Sequence, residues 1–183
     1  MVCTALPIIV SPAKVGNGLS ISSSRTLNQQ KGEYETIAGP IIALDLGQKR
    51  VGVALSDPLL VAITRHKPLQ RTSWKKLLSD VAQLIQRFDA KTLVIGLPLR
   101  LDGSEGAAAR EVCRVADKFA RSLGLPVYLQ DERLTSAEAE ERLRQAGYKA
   151  HEILQRIDGE SAAIILRDFL AGEARILVLP KPI

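Results

Sequence analysis

Four acidic residues stand where an acid is either costly or purposeful. Asp45 lies inside the apolar run 41–46, the pair Asp131-Glu132 directly follows the apolar run 126–130, and Asp158 precedes an amphipathic stretch that begins at Ala162. An ionised carboxylate within an apolar strand is unfavourable unless it is paired, hydrogen-bonded or bound to a cation. Three carboxylates brought together, with room for water, suit Mg²⁺ or Mn²⁺ far better than zinc. Two such ions can activate a water and offset charge on the leaving oxygen in phosphodiester cleavage. Each acid also has a plain structural use. Asp45 could cap the turn that follows it, Asp131 and Glu132 could pair with Arg133, and Asp158 could cap the last helix. Neighbours on a strand face opposite ways, so one of Asp131 and Glu132, not both, should join Asp45.

The other usual metal ligands point nowhere. Cys3 and Cys113 have no ligand spacing, and His66 and His151 are far apart in sequence. A disulfide between the two cysteines is not expected, and a reducing compartment follows.

The elements that must position the acids are legible from periodicity. Residues 41–57 read as two apolar strands around a Gly47-Gln48-Lys49-Arg50 turn, a β-hairpin. Alternation puts Ile41, Ala43 and Asp45 on one face and Ile42, Leu44 and Leu46 on the other. Gly47 has no side chain and leaves space beside Asp45. Asp57-Pro58 is a turn, residues 59–64 suggest a third strand, and 69–73 a loop. Trp74, Leu77, Leu78, Val81, Leu84, Ile85 and Phe88 then recur at helical spacing as a core stripe. Residues 92–98 form a continuous apolar run, expected of a strand buried on both faces. A second helix follows over Ala108 to Leu123, with Gly124 as its C-terminal cap. A strand at 126–130 leads into Asp131. A capping box at Thr135-Ser136-Ala137-Glu138 opens a helix that Gly147 ends, and the last helix follows Asp158. Strands followed by alternating helix and strand imply an α/β fold, a mixed sheet with helices on its faces.

Composition sets outer limits. The chain has 183 residues, 46% hydrophobic and 25% charged, which allows one domain with a full core plus tails. Net charge of +5 fits a polyanionic partner. Aromatics are only 4%, so base-stacking platforms are not expected and backbone charge would carry recognition. No apolar run approaches the length of a membrane span. Residues 1–39 are Ser-rich, with no acid before Glu33 and no apolar periodicity, and read as a disordered extension. The folded domain would occupy 40–172 and a C-terminal tail 173–183. The location expected is cytoplasmic, or organellar if the extension is a transit peptide.

Asp45-Leu46-Gly47, Arg50-Val51-Gly52-Val53-Ala54 and Ser56-Asp57 resemble the opening motif of the YqgF/RuvX family. Val94-Ile95-Gly96-Leu97-Pro98 with Asp102-Gly103-Ser104 resembles its second motif, and Asp131-Glu132-Arg133-Leu134-Thr135 its third. Ile157-Asp158, Ala162-Ala163, Leu166 and Phe169-Leu170 resemble its fourth. The four fall in order over about 41–171. The resemblance implies a ribonuclease H-like fold, a mixed five-stranded sheet flanked by helices, and a metal-dependent endonuclease. It implies Asp45, Glu132 and Asp158 as catalytic metal ligands, with Asp131 as the alternative to Glu132, and Mg²⁺ or Mn²⁺ in a two-ion site. Lys49, Arg50, Arg133 and Ser104 are the candidate contacts to substrate phosphate. The substrate implied is the precursor of 16S ribosomal RNA or a four-way DNA junction, that is, structured RNA or DNA, acted on by a monomer or homodimer. A non-catalytic nucleic-acid-binding or ribosome-assembly factor is the contrasting expectation. An actin-like ATPase also opens with Asp-Leu-Gly but needs a duplicated domain. The chain departs from the family pattern in its long N-terminal segment and in Gly159 directly after Asp158.

Overall fold

The structure is a computed structural model that describes residues 37–132, 144–147, 150–172 and 175–178, with the backbone alone for 150–158. Strands β1 (Ile41–Leu46) and β2 (Arg50–Ser56) form the expected antiparallel hairpin. Strand β3 (Ile63–Gln70) continues the meander. Helix α1 (Trp74–Phe88), β4 (Thr92–Leu97), α2 (Ala107–Ser122), β5 (Val127–Asp131), α3 (Ala150–Ala171) and β6 (Arg175–Leu177) complete the order. The sheet runs β3-β2-β1-β4-β5-β6, with β1, β4 and β5 parallel and β6 antiparallel to β5.

The alternation read from sequence sorts the core into two layers. Ile42 and Leu44 pack with Leu77, Val81, Val112 and Phe119 under α1 and α2. Ile41 and Ala43 pack with Ala162, Ile165, Leu166 and Phe169 under α3. All of β4 is buried because helices cover both its faces. The parallel strands β1, β4 and β5 end at one edge of the sheet. Helices α1 and α2 both start there, because each follows a strand running that way.

Several element boundaries differ from expectation. The third strand starts at Ile63, because Asp57 Oδ1 accepts hydrogen bonds from the N–H groups of Val61 (2.7 Å) and Ala62 (2.9 Å) and holds 57–62 as a turn. Those N–H groups, that of Ala62 foremost, keep the Asp57 carboxyl below its ordinary range. The strand then runs through Gln70, into the segment expected as loop. Helix α2 ends on Leu123 in an extended conformation, so Gly124 is not its left-handed cap. A sixth strand comes from the expected tail, where Arg175–Leu177 pairs with β5. The capping box at 135–138 lies outside the described residues. Arg144 and Gln145 are helical, and Gly147 takes φ +83°, as a terminating glycine should.

Gly159 sits inside α3, not at its start, and the helix passes through it without interruption. A Cβ there would lie 3.8 Å from Arg65 Cβ and 3.9 Å from His66 O, ordinary contact distances. Gly159→Ala should therefore gain helix propensity without a clash, worth about 1 kcal/mol and a few degrees in Tm. A lower Tm in a thermal melt would show that the helix needs closer contact with β3 than this.

Candidate active site

Asp45 is the third residue of the β1 face that looks toward α3, after the buried Ile41 and Ala43. It is half-buried. Its antiparallel partner on β2 is Gly52. On the other side, Leu44 pairs with Ile95 of β4, so the next residue there is Gly96. The acid thus stands between glycines on both neighbouring strands, and the face is open to another group.

Glu132 fills part of that opening. The backbone leaves β5 one residue after the Leu97–Asp131 pair, and the Glu132 N–H donates to Leu97 O (3.2 Å). Its carboxylate lies directly over Gly96. A Cβ at 96 would overlap Glu132 Oε2 and stand 2.6 Å from Ile165 Cδ1. Glu132 therefore shares the face of Asp45, while alternation turns Asp131 to the α1–α2 side. Burial, then the negative charges of Asp45 and Asp131, push the Glu132 carboxyl up to about 8. Among the described residues it makes no hydrogen bond or ion pair. An oxygen-only donor set, a surplus of negative charge and a glycine-floored cradle fit a hard divalent cation.

Asp158 lies eight residues into α3, because the helix begins at Ala150. The structure thereby overturns the reading of Asp158 as N-cap of the last helix. Its side chain is outside the description. Among the described residues alone, no three metal-ligating side chains come together.

The candidate phosphate contacts separate. Lys49 and Arg50 are exposed on the β1–β2 turn, beside the acid edge. Arg133 lies outside the described residues. Ser104 does not cap α2, whose N-cap is Gly106. It belongs instead to a tight loop after β4, bridged at Leu99–Glu105. There the Ser104 N–H donates to Asp102 Oδ1 (2.9 Å), and Gly103 takes φ +81°. The side chain and N–H of Ser104 hold the Asp102 carboxyl below its ordinary range. The Ser104 hydroxyl is buried and has no hydrogen-bond partner among the described residues.

Two residues escaped the sequence reading. Gln130 is 1% exposed on the acid face, paired with Gly96, and its Oε1 has no partner among the described residues. An amide in an otherwise apolar run, two residues before Glu132, was the available signal. Arg71 ties the turn down: its N–H donates to Lys49 O and its Nη1 to Gly47 O, both at 2.9 Å. Nothing in the local pattern announced that contact. Gly47 itself is required by the turn, since a Cβ there would stand 2.7 Å from Arg50 O. The space beside Asp45 comes from Gly52 and Gly96 instead.

This strand order, with carboxylates at the open end of its central strands, defines a ribonuclease H-like α/β domain. The chain belongs to the RuvX family, described as Holliday junction resolvase, whose pattern matches residues 39–172. A protein of Anaeromyxobacter sp. (strain Fw109-5) named "Putative pre-16S rRNA nuclease" is 42% identical over 136 residues, covering 72% of this chain and 96% of that one. One of the same name from Syntrophus aciditrophicus (strain SB) is 39% identical over 130 residues, 71% of this chain and 87% of that one. Among solved structures, T. thermophilus RuvC in complex with Holliday junction substrate aligns at 15% identity over 74% of this chain and 98% of that one, with a TM-score of 0.48. Among the described residues, no helix is long and apolar enough to cross a membrane.

Proposed function

We propose that this protein is a divalent-metal-dependent endonuclease that hydrolyses a phosphodiester bond in structured nucleic acid, with precursor 16S ribosomal RNA as its substrate. The observation that carries the reading is the Glu132 carboxylate, held over Gly96 beside Asp45 and charged only against the opposition of its surroundings. Asp45, Glu132 and Asp158 would hold Mg²⁺ or Mn²⁺. Asp158 precedes Ala162 and Ile165 by four and seven residues, the spacing of one helical stripe. The chemistry such ions supply when bound is activation of the attacking water and neutralisation of charge on the departing 3′ oxygen. The chain's own part is to fix the geometry. Asp45 is held by a central strand, Glu132 by its backbone bond to Leu97, and the glycines keep the approach clear. Lys49 and Arg50 stand where a phosphate backbone would pass, whereas the Ser104 hydroxyl is buried and does not reach it. Asp131, on the other face, raises Glu132 electrostatically and is not a ligand.

The names of the relatives favour ribosomal RNA, and the family description favours a four-way DNA junction, for which a homodimer would make paired cuts. Phosphate contacts carry no base identity, so the residues named so far serve either substrate. The protein is incubated with precursor 16S RNA and with a four-way DNA junction, each with Mn²⁺ and with excess chelator. Cleavage of the RNA alone, lost with chelator, is the expected result. Cleavage of the junction alone moves the assignment to resolution. Cleavage that survives the chelator refutes the metal-acid site.

A further inference from the structure

On the far side of the sheet from the acids, a groove runs between the first turn of α1 and the outer face of α2. Its walls carry the cations Arg71, Arg114 and Lys118, the acid Glu111 and the indole of Trp74, with Leu77 below. Glu111 is already engaged, 2.6 Å from Arg71. Arg114 makes no hydrogen bond or ion pair among the described residues. The Lys118 Nζ lies 5.4 Å from the centroid of the Trp74 ring, a contact that leaves its protons free for an acceptor. Arg110 continues the row, so exposed cations recur at four-residue steps along one stripe of α2. A solvated helix face is the ordinary explanation of surface lysine. Here, however, the one acid in the groove is neutralised and the remaining cations converge on an aromatic wall.

The groove also connects with the candidate active site. Arg71, at its near end, bonds the carbonyls of Gly47 and Lys49, in the turn that directly follows the Asp45 strand. Helices α1 and α2 both start at the acid edge, so the row of cations leads away from that edge over the opposite face.

We propose that this groove and the α2 stripe bind the phosphodiester backbone of a double-helical arm of the substrate, which passes round the β1–β2 turn from the acids. This deepens the nuclease reading and rests on it. The contact would be electrostatic and indifferent to sequence. Trp74 serves as a wall and not as a base platform, because it is half-buried with its ring 4.9 Å from that of Phe119.

Trp74 is the single tryptophan of the chain, so its emission reports on this groove. The full chain is titrated, without divalent ions, with a base-paired RNA and separately with a four-way DNA junction, between about 50 and 200 mM salt. Trp74 emission should change with occupancy. Arg114→Ala/Lys118→Ala should weaken binding about tenfold at the low-salt end and flatten the slope of log K against log salt by about 2. With Mn²⁺ present, the same variant should raise KM and leave kcat near its original value. Lys91→Ala removes an exposed cation at the opposite edge of the sheet and should change neither quantity. If the nucleic acids bind but emission is silent, or the double variant keeps the original affinity and slope, the groove is not the contact surface and the nuclease reading stands. If neither nucleic acid binds, both fall.

Discussion

Gly96→Ala should abolish most cleavage, by about 100-fold or more, although it removes no functional group. The added Cβ would occupy the position of Glu132 Oε2 and approach Ile165 Cδ1 to 2.6 Å. Both are far ends of flexible side chains, so they can yield where backbone could not. Overpacking of this kind costs on the order of 1–3 kcal/mol, which a domain with two packed layers survives. The carboxylate, however, is displaced by about an ångström or more, and misplacement on that scale costs roughly two orders of magnitude in rate. Cleavage rate and Tm measured together separate the effects. A folded variant with a small loss of Tm and a collapsed rate is expected. A folded variant that cleaves at the original rate would show that Glu132 has no part in the reaction.

Glu132→Gln should remove a pH dependence of stability as well as activity. In the native protein without metal, burial and the charges of Asp45 and Asp131 raise the Glu132 carboxyl to about 8, from an ordinary 4.5. Between those values the native state holds a proton that the unfolded chain has released. Stability from this group is therefore full below about pH 4.5 and is lost as pH rises through about 8. The slope approaches 1.4 kcal/mol per pH unit, and the whole loss is on the order of 5 kcal/mol. In chelator, Tm should fall between pH 5 and pH 8, and Glu132→Gln should flatten that fall and melt higher at pH 8. A divalent ion acts in the opposite direction, because it needs the ionised carboxylate. Mn²⁺ binding at pH 7 should release about one proton, read by titration calorimetry in buffers of different ionisation enthalpy. An unchanged slope of Tm against pH in Glu132→Gln would mean that the proton resides elsewhere.

The strands, the two core stripes and the isolated position of Asp45 could be read from the chain alone, because side-chain periodicity reports which face of an element is buried. Ala43 and Asp45 share a face whatever they pack against. The choice between Asp131 and Glu132 was different. Alternation said that one of them would face Asp45, but not which, since that depends on the register of β5 against β4. The pairing of Leu97 with Asp131 decides it and places Glu132 over Gly96. The reason for a glycine at 96 likewise needed the structure, because it is the acid above it that leaves no room for a Cβ. The extent of α3 was misread for a local reason: Asp158 has the chemistry of a cap, and only the helix begun at Ala150 shows that it stands in the interior. Arg71 and the groove could not be seen at all, because Arg71 and Glu111 are distant in sequence and meet only where two helices start from one edge of the sheet. Residue type and spacing determined which groups could do chemistry and how the layers form. The assembly of those groups needed the sheet register and helix packing, because both are set by contacts between segments that no local pattern encodes.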